Sequence, residues 1–205
     1  MEADGESWSE VDLLRKMEEI GLQVHPGFAS LEEQKALAEE LDVVLKKQKY
    51  QKGHWDGVIA EYRETERLVW KNPKNERVIA RMRSLFPPGW GWQPAHILDL
   101  DQGGEIGPHI DAVATVGDVV CGLSLLSSCV MTFSDQDQDE VFRVLLQPGT
   151  LYIMAGESRF RFKHGIEHKS QIFKGQPVER KRRISVMIRD FPLDSPFRQM
   201  GIKQT

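Results

Sequence analysis

Between residues 95 and 190 the chain contains AHILDLD (95–101), PHIDAVA (108–114), DVVCGLSLLS (118–127), CVMTFS (129–134), EVFRVLLQ (140–147), TLYIMA (150–155), ESRFRFKH (157–164) and RRISVMIRD (182–190). Each run is short, carries a period of two and is bounded by Gly, Pro, Ser or Asp, the marks of strands separated by turns. On a strand that period sends alternate side chains to opposite faces. Eight such runs with no long helix among them predict a double-sheet roll or barrel. The stretch Asp135-Gln136-Asp137-Gln138-Asp139 reads as a solvated hairpin tip rather than a metal loop.

Upstream the spacing becomes helical. Ser30-Leu31-Glu32-Glu33 has the capping-box arrangement, and Leu31, Leu37, Leu41, Val44 and Leu45 follow at helical intervals. Shorter helices are predicted from Val11 to Ile20 and from about Glu76 to Phe86. The second is stopped by Pro87-Pro88, which lack the N–H a helix needs. HWDGVIAEYRETE (54–66) is mixed in character and takes no firm assignment. The predicted class is α+β, a jelly roll with N-terminal helices packed on one sheet.

The 205 residues are 40% hydrophobic and 28% charged, a globular composition. A chain of this length suits one domain and buries roughly 70% of its unfolded surface. Lys+Arg 27 against Asp+Glu 31 gives a net charge of -4, which argues against a broad electrostatic grip on nucleic acid while allowing a local basic groove. No apolar run approaches the ~20 residues of a membrane helix, so no span is expected. Cys121 and Cys129 are too few for a disulfide framework and read as buried thiols of a reducing compartment. MEADGESWSE resembles no targeting segment, so the chain as it stands reads as cytosolic.

In PHIDAVA, His109 and Asp111 sit at i and i+2, so on a strand imidazole and carboxylate converge on one face. In a chain with six His such a pair also arises by chance. In ESRFRFKH, Phe160, Phe162 and His164 share one face and Arg159, Arg161 and Lys163 the other, which aims His164 into the roll. Two histidines and a carboxylate on facing strands form the facial triad of non-haem Fe(II) oxygenases. His168, beyond Gly165 and a turn, is the lesser candidate for the second histidine. In RRISVMIRD, Arg183, Ser185, Met187 and Arg189 share one face. Guanidinium groups looking into a barrel need anionic partners, and Arg grips carboxylates with two parallel hydrogen bonds. An internal Arg behind such a triad suggests a dicarboxylate co-substrate held at its far end, the alternative being an edge strand with solvated arginines.

His-x-Asp, a distal His in GESRFRFKHGI, and two Arg separated by five residues resemble the AlkB family of Fe(II)- and 2-oxoglutarate-dependent dioxygenases. Over about Pro26 to Asp190, PGFASLEEQ, HWDGVIAEYRETE, GLSLLSSCVM, PGTLYIM and RRISVMIR are most similar to its mitochondrial branch, the seventh in the mammalian series. The resemblance implies a double-stranded β-helix as a single domain over 26–192. Residues 1–25 are then an N-terminal tail with a short helix, and 193–205 a C-terminal tail. It further implies that His109, Asp111 and His164 hold Fe(II) and that Arg183 pairs with the distal carboxylate of 2-oxoglutarate. Arg189 would contact the keto-acid carboxylate or steady Asp111, while Tyr152 and Ser185 would add hydrogen bonds. Repair enzymes of the family carry an Asn and a Tyr where this chain has Leu98 and Leu100. His96, on the same face, is expected to supply a polar contact instead, and Leu98, if near the iron, to be open to self-oxidation.

The expected function is a dioxygenase acting with O2 on a protein side chain. Residues 50–94 are short for a base-flipping lid, and Trp55, Tyr62 and Trp70 are spaced like residues that pin a helix to a core. Lys46, Lys47, Lys49 and Lys52 read as a solvated helix end. Duplex DNA is therefore disfavoured, and demethylation of single-stranded mitochondrial RNA is the alternative, with a non-catalytic 2-oxoglutarate-binding scaffold behind it. The mitochondrial branch implies a matrix location and a role in programmed necrosis after alkylation damage and in fatty-acid metabolism.

Overall fold

The computed structural model describes residues 9–135, 137–167 and 171–200. In chain order the elements are α1 (Glu10–Glu19), β1 (Leu22–His25), α2 (Leu31–Leu45), β2 (Ile59–Arg67), α3 (Pro73–Arg83), β3 (Ala95–His109), β4 (Val120–Leu125) and β5 (Cys129–Asp135). Then follow β6 (Glu140–Leu146), β7 (Leu151–Met154), α4 (Glu157–Phe160), β8 (Lys163–Ile166), β9 (Gln171–Phe173), β10 (Gln176–Val178), β11 (Arg183–Arg189) and α5 (Pro196–Met200).

Ser30 starts the main helix as its spacing predicts. Its hydroxyl accepts from the Glu33 N–H, and the Glu33 carboxylate accepts from the Ser30 N–H at 2.9 Å. Helix α2 turns Leu37, Leu41 and Leu45 inward, all fully buried, whereas Leu31 at its first position is 83% exposed. Helix α3 begins three residues before the expected Glu76, because Asn72 caps it and Pro73 occupies its first turn, where no N–H is required. The Asn75 amide donates to the Ala36 carbonyl and to Glu40, tying α3 to α2.

The sheet runs β1-β7-β4-β11-β3-β8-β5-β6, with β2 also paired to β3, and its pairs are antiparallel. Strand β3 joins two layers: Leu100 to His96 pair with β11, whereas Ile106 and His109 pair with β8. The crossing occurs at Gly103-Gly104, where a Cβ on Gly104 would lie 2.7 Å from the Glu61 carbonyl. One core lies between α2, α3 and the outer face of the first layer, where Ile97, Leu123, Ile184, Val186 and Ile188 meet the helices. A second fills the roll with Met131, Phe133, Phe142, Tyr152, Met154 and Phe162. Burying each such side chain contributes roughly 1.5–3 kcal/mol. This is the double-stranded β-helix with helices on one sheet.

Several expectations change. ESRFRFKH is not one strand: after Gly156 (φ 55°) it turns through α4, held by the Ser158 hydroxyl donating to the Ala155 carbonyl at 2.8 Å. Only Lys163 onward is extended. Phe160 is therefore 45% exposed, and Arg159, expected outside, is 2% exposed. PHIDAVA leaves the sheet at His109, so Asp111 lies in a loop. HWDGVIAEYRETE contributes β2, a strand, and Trp55 pins no helix, being 90% exposed. Asp135 of the acidic tip is buried against Arg161 at 2.7 Å. Residues 10–25, read as a tail with a short helix, pack on the roll: Met17, Ile20 and Leu22 enter the second core and β1 pairs with β7. Cys121 and Cys129 are buried and free. Among the described residues no helix is long and apolar enough to cross a membrane.

Candidate metal and co-substrate site

The two layers meet at His109, the last residue of β3, which sits directly opposite His164 of β8. Their ring centroids are 4.4 Å apart. Asp111, two residues further on, places Oδ1 3.3 Å from His109 Nε2. One ligand atom from each of His109, Asp111 and His164 lies within 4.8 Å of the others. That spacing suits a single ion held on one side, with open positions on the other. His109 Nδ1 lies 3.0 Å from the Gly107 carbonyl. A proton kept on Nδ1 and donated to that carbonyl would leave the Nε2 lone pair free for an ion once Nε2 gives up its contact with Asp111, the usual means of orienting a ligating imidazole.

Electrostatics hold two of the three groups, His164 and Asp111, in the protonation state a metal ligand needs. Burial pushes His164 down to about 4, so its imidazole is neutral at pH 7. Burial alone would raise Asp111. The hydrogen bond from His109, the neighbouring imidazoles and the Arg189 charge outweigh it and hold the carboxylate far below its usual range. Burial also draws His109 down, but Asp111 more than compensates, and its affinity for a proton rises. His168 lies outside the described residues.

Strand β11 presents Arg183, Ser185, Met187 and Arg189 to the same cavity, as its alternation predicts. The cavity has a volume of about 390 Å³ and also receives Tyr152, His96 and Leu98. Arg183 is 1% exposed, and its Nε donates to the Ser124 hydroxyl at 3.0 Å. Its Nη2, Ser185 Oγ and Arg189 Nε are buried without a hydrogen-bond partner. Leaving a buried donor unpaired costs about 1–3 kcal/mol, more for a charged one. Three such atoms around one cavity fit an anion with several acceptor oxygens. Tyr152 completes the group from β7, with its hydroxyl pushed up by burial. Gly122 lies across from it in register, where any Cβ would run into the Tyr152 ring.

His96 lines the cavity with its Nε2 2.9 Å from Glu64, and its buried Nδ1 has no partner. That contact with His96 holds the Glu64 carboxyl below its usual range. Leu98 borders the cavity, whereas Leu100 packs with Tyr62 and Leu98. Glu64 and His54, also in the wall, escape the sequence reading, and Trp55 enters it only as a residue that pins a helix. Glu61 adopts φ 48° where the β2–β3 register shifts, and this bulge hides the alternation of the strand.

Comparison with known proteins agrees with this geometry. The family model described as 2OG-Fe(II) oxygenase superfamily matches residues 21–189. The mouse protein named alpha-ketoglutarate-dependent dioxygenase alkB homolog 7, mitochondrial, is 40% identical over 173 residues, which cover 82% of this chain and 78% of that protein. The cattle protein of the same name is 38% identical over 172 residues, with the same coverage. Among solved structures, a prolyl-4-hydroxylase of Pseudomonas putida shares the fold at TM-score 0.60 and 14% identity, covering 87% of this chain and 96% of that one. OsALKBH1 shares it at TM-score 0.60 and 16% identity, covering 82% and 97%. The chain therefore belongs to the 2OG-Fe(II) oxygenase superfamily, as an AlkB-like dioxygenase that uses Fe(II) and 2-oxoglutarate.

Proposed function

We propose that His109, Asp111 and His164 hold the Fe(II), that Arg183 receives the distal carboxylate of 2-oxoglutarate, and that the enzyme hydroxylates a protein side chain. The observation that carries the site is the row of unpaired buried donors on β11 facing the His-Asp-His cluster across one cavity. Tyr152 and Ser185 add hydrogen bonds to the co-substrate, and the unpaired Nδ1 of His96 offers the contact that Leu98 and Leu100 lack. Arg189, whose charge acts on Asp111, steadies that ligand.

When bound, iron and 2-oxoglutarate supply the oxidising chemistry: O2 converts the keto acid to succinate and CO2, one oxygen atom entering succinate and the other an unactivated C–H bond of the substrate. The protein contributes orientation and shielding. Arg183 fixes the far end of the co-substrate, Met131, Leu98 and Ile106 keep the cavity apolar, and Asp111 remains ionised.

A protein substrate is favoured by the distribution of charge. Arg183 and Arg189 are the only Lys or Arg side chains among the described lining residues, and this reading gives both a role, Arg183 at the co-substrate and Arg189 beside Asp111. The rest of the lining carries Asp56, paired with His54, and Glu64, paired with His96, together with Trp55, Val58 and Ile59, a setting that offers phosphodiesters no further cation and accepts an apolar side chain. Methylated single-stranded RNA is the second reading, because the exposed Trp55 ring at the mouth offers a surface for base stacking. A matrix location, and a part in programmed necrosis after alkylation damage and in fatty-acid metabolism, join this reading through the resemblance to the mitochondrial branch.

The test is succinate formation from 2-oxoglutarate with Fe(II) and O2, for wild type beside His109→Ala and Arg183→Ala, followed by mass spectrometry of a mitochondrial protein extract. Turnover in wild type alone, with one oxygen added to a protein, supports the reading. Formaldehyde released from N-methylated RNA in place of protein oxidation supports the second. Binding of 2-oxoglutarate without turnover on either substrate points to the scaffold.

A further inference from the structure

Arg159 has an environment unlike that of the other buried arginines. It is 2% exposed, yet among the described residues no carboxylate makes an ion pair or hydrogen bond with it. Its guanidinium donates to three main-chain carbonyls instead: Nε to Gly117 at 3.1 Å, Nη1 to Asp111 at 2.9 Å and Nη2 to Val116 at 3.0 Å. All three belong to the loop between β3 and β4. The carboxylates of Asp111, Asp190 and Asp118 act on it only from beyond ion-pair distance, and desolvating a guanidinium with no directly paired carboxylate is costly, so packing alone does not account for an arginine here.

Its placement does. Asp111 has left the ladder that holds His109, so no strand pairing locates its main chain. The bond from Arg159 is made at the carbonyl of Asp111 itself. Arg159 stands on α4, five residues before His164, and so belongs to the segment that delivers the second histidine. A planar fork with donors along two edges is suited to gathering several carbonyls of one loop.

We propose that Arg159 is a positioning residue for the metal centre, bracing the Asp111 loop against the segment that carries His164. The proposal rests on the reading that His109, Asp111 and His164 hold the metal. Partners that orient a ligand typically change metal affinity 10- to 100-fold when lost. Arg159→Met should raise the Kd for Mn(II) by about tenfold or more, and Arg159→Lys, which keeps the charge but not the fork, should fall between the two.

The experiment titrates the metal-free chain with Mn(II), followed by electron paramagnetic resonance without 2-oxoglutarate or O2, beside thermal melting of the metal-free proteins. Leu41→Ala, in the helical layer, serves as a variant destabilised away from the site and should bind Mn(II) like wild type. Co(II) absorption bands altered in Arg159→Lys would report the changed ligand geometry directly. A folded Arg159→Met that binds Mn(II) within about twofold of wild type, or a Leu41→Ala that weakens binding as much, overturns the proposal. If Arg159→Met does not fold, Arg159→Lys decides by the same criterion. Mn(II) binding by His109→Ala equal to wild type would instead overturn the reading of the triad.

Discussion

Arg182 and Arg183 are adjacent in the chain and differ in almost every respect that matters. Arg182, just ahead of β11, donates to both oxygens of Asp99 at 3.0 and 2.7 Å and to Asp42 at 2.6 Å. Asp99 is fully buried and also receives Arg63 at 2.7 Å and the Tyr50 hydroxyl at 3.3 Å. Burial would lower the affinity of Arg182 for its proton, but the two carboxylates outweigh it and raise it. Arg183, on the opposite face, has Ser124 as its hydrogen-bond partner and leaves Nη2 unpaired. The closed network on one face ties the helical layer to the sheet, and the open one on the other leaves a buried donor facing the cavity, the receptor we propose for the co-substrate. A buried cation is read by what it lacks as much as by what it touches.

The strongest way to break this contrast is Arg183→Met. Losing a charge-paired contact at a desolvated site costs about 2–5 kcal/mol, so the Kd for 2-oxoglutarate should rise by roughly a hundredfold, while the metal-free protein melts no lower than wild type. Calorimetric titration in the presence of Mn(II) measures the first and thermal melting the second. A change under tenfold would mean that the open arginine is not the receptor.

Arg182→Met should do the reverse. Removing a partner of a buried carboxylate lowers stability by about 3 kcal/mol in a urea titration, with 2-oxoglutarate affinity within about twofold of wild type. Ser124→Ala is expected to be milder. Loss of the single hydrogen bond that aims Arg183 is worth about 1 kcal/mol, or roughly a fivefold weaker co-substrate, with stability nearly unchanged. If Ser124→Ala matched Arg183→Met, the receptor would depend on orientation more than on charge.

The smallest effect concerns pH. Asp42, Glu33 and Glu40 all have carboxyl groups below their ordinary values of 3.8 and 4.5. Burial opposes the shift at Asp42 and Glu40, and the contacts to Arg182, to the main chain at Lys71 and Asn72, and from Arg81 to Glu33 prevail. Groups depressed in the folded state add stability that is present above their unfolded values and lost as pH falls through the folded ones. Stability should therefore be level above about pH 5 and decline below it. Asp42→Asn should flatten the decline in acid urea titrations, and an unchanged slope would remove Asp42 from the network.

The self-oxidation expected of Leu98 can be checked on the same preparations. Leu98 borders the cavity, so aerobic incubation with iron and 2-oxoglutarate should add one oxygen to its peptide, and a peptide of unchanged mass would show that its side chain stays out of reach.

Much of this molecule is legible without coordinates. The capping box at Ser30, the period-two runs after Ala95, the His109-x-Asp111 spacing and the shared face of Arg183, Ser185 and Arg189 are local patterns, written in residues that are neighbours in sequence. Local pattern reports a side chain's direction only while the backbone stays in one conformation. The turn after Gly156 and the bulge at Glu61 reset that phase, which moves Arg159 inside, turns Phe160 out and hides Glu64. Register is the other matter that tertiary structure decided. His109 opposite His164, Arg182 beside Asp99 and Arg183 beside Ser124 join residues 55, 83 and 59 positions apart. Their meeting depends on the free energy of the whole sheet closing, which no short stretch of the chain contains.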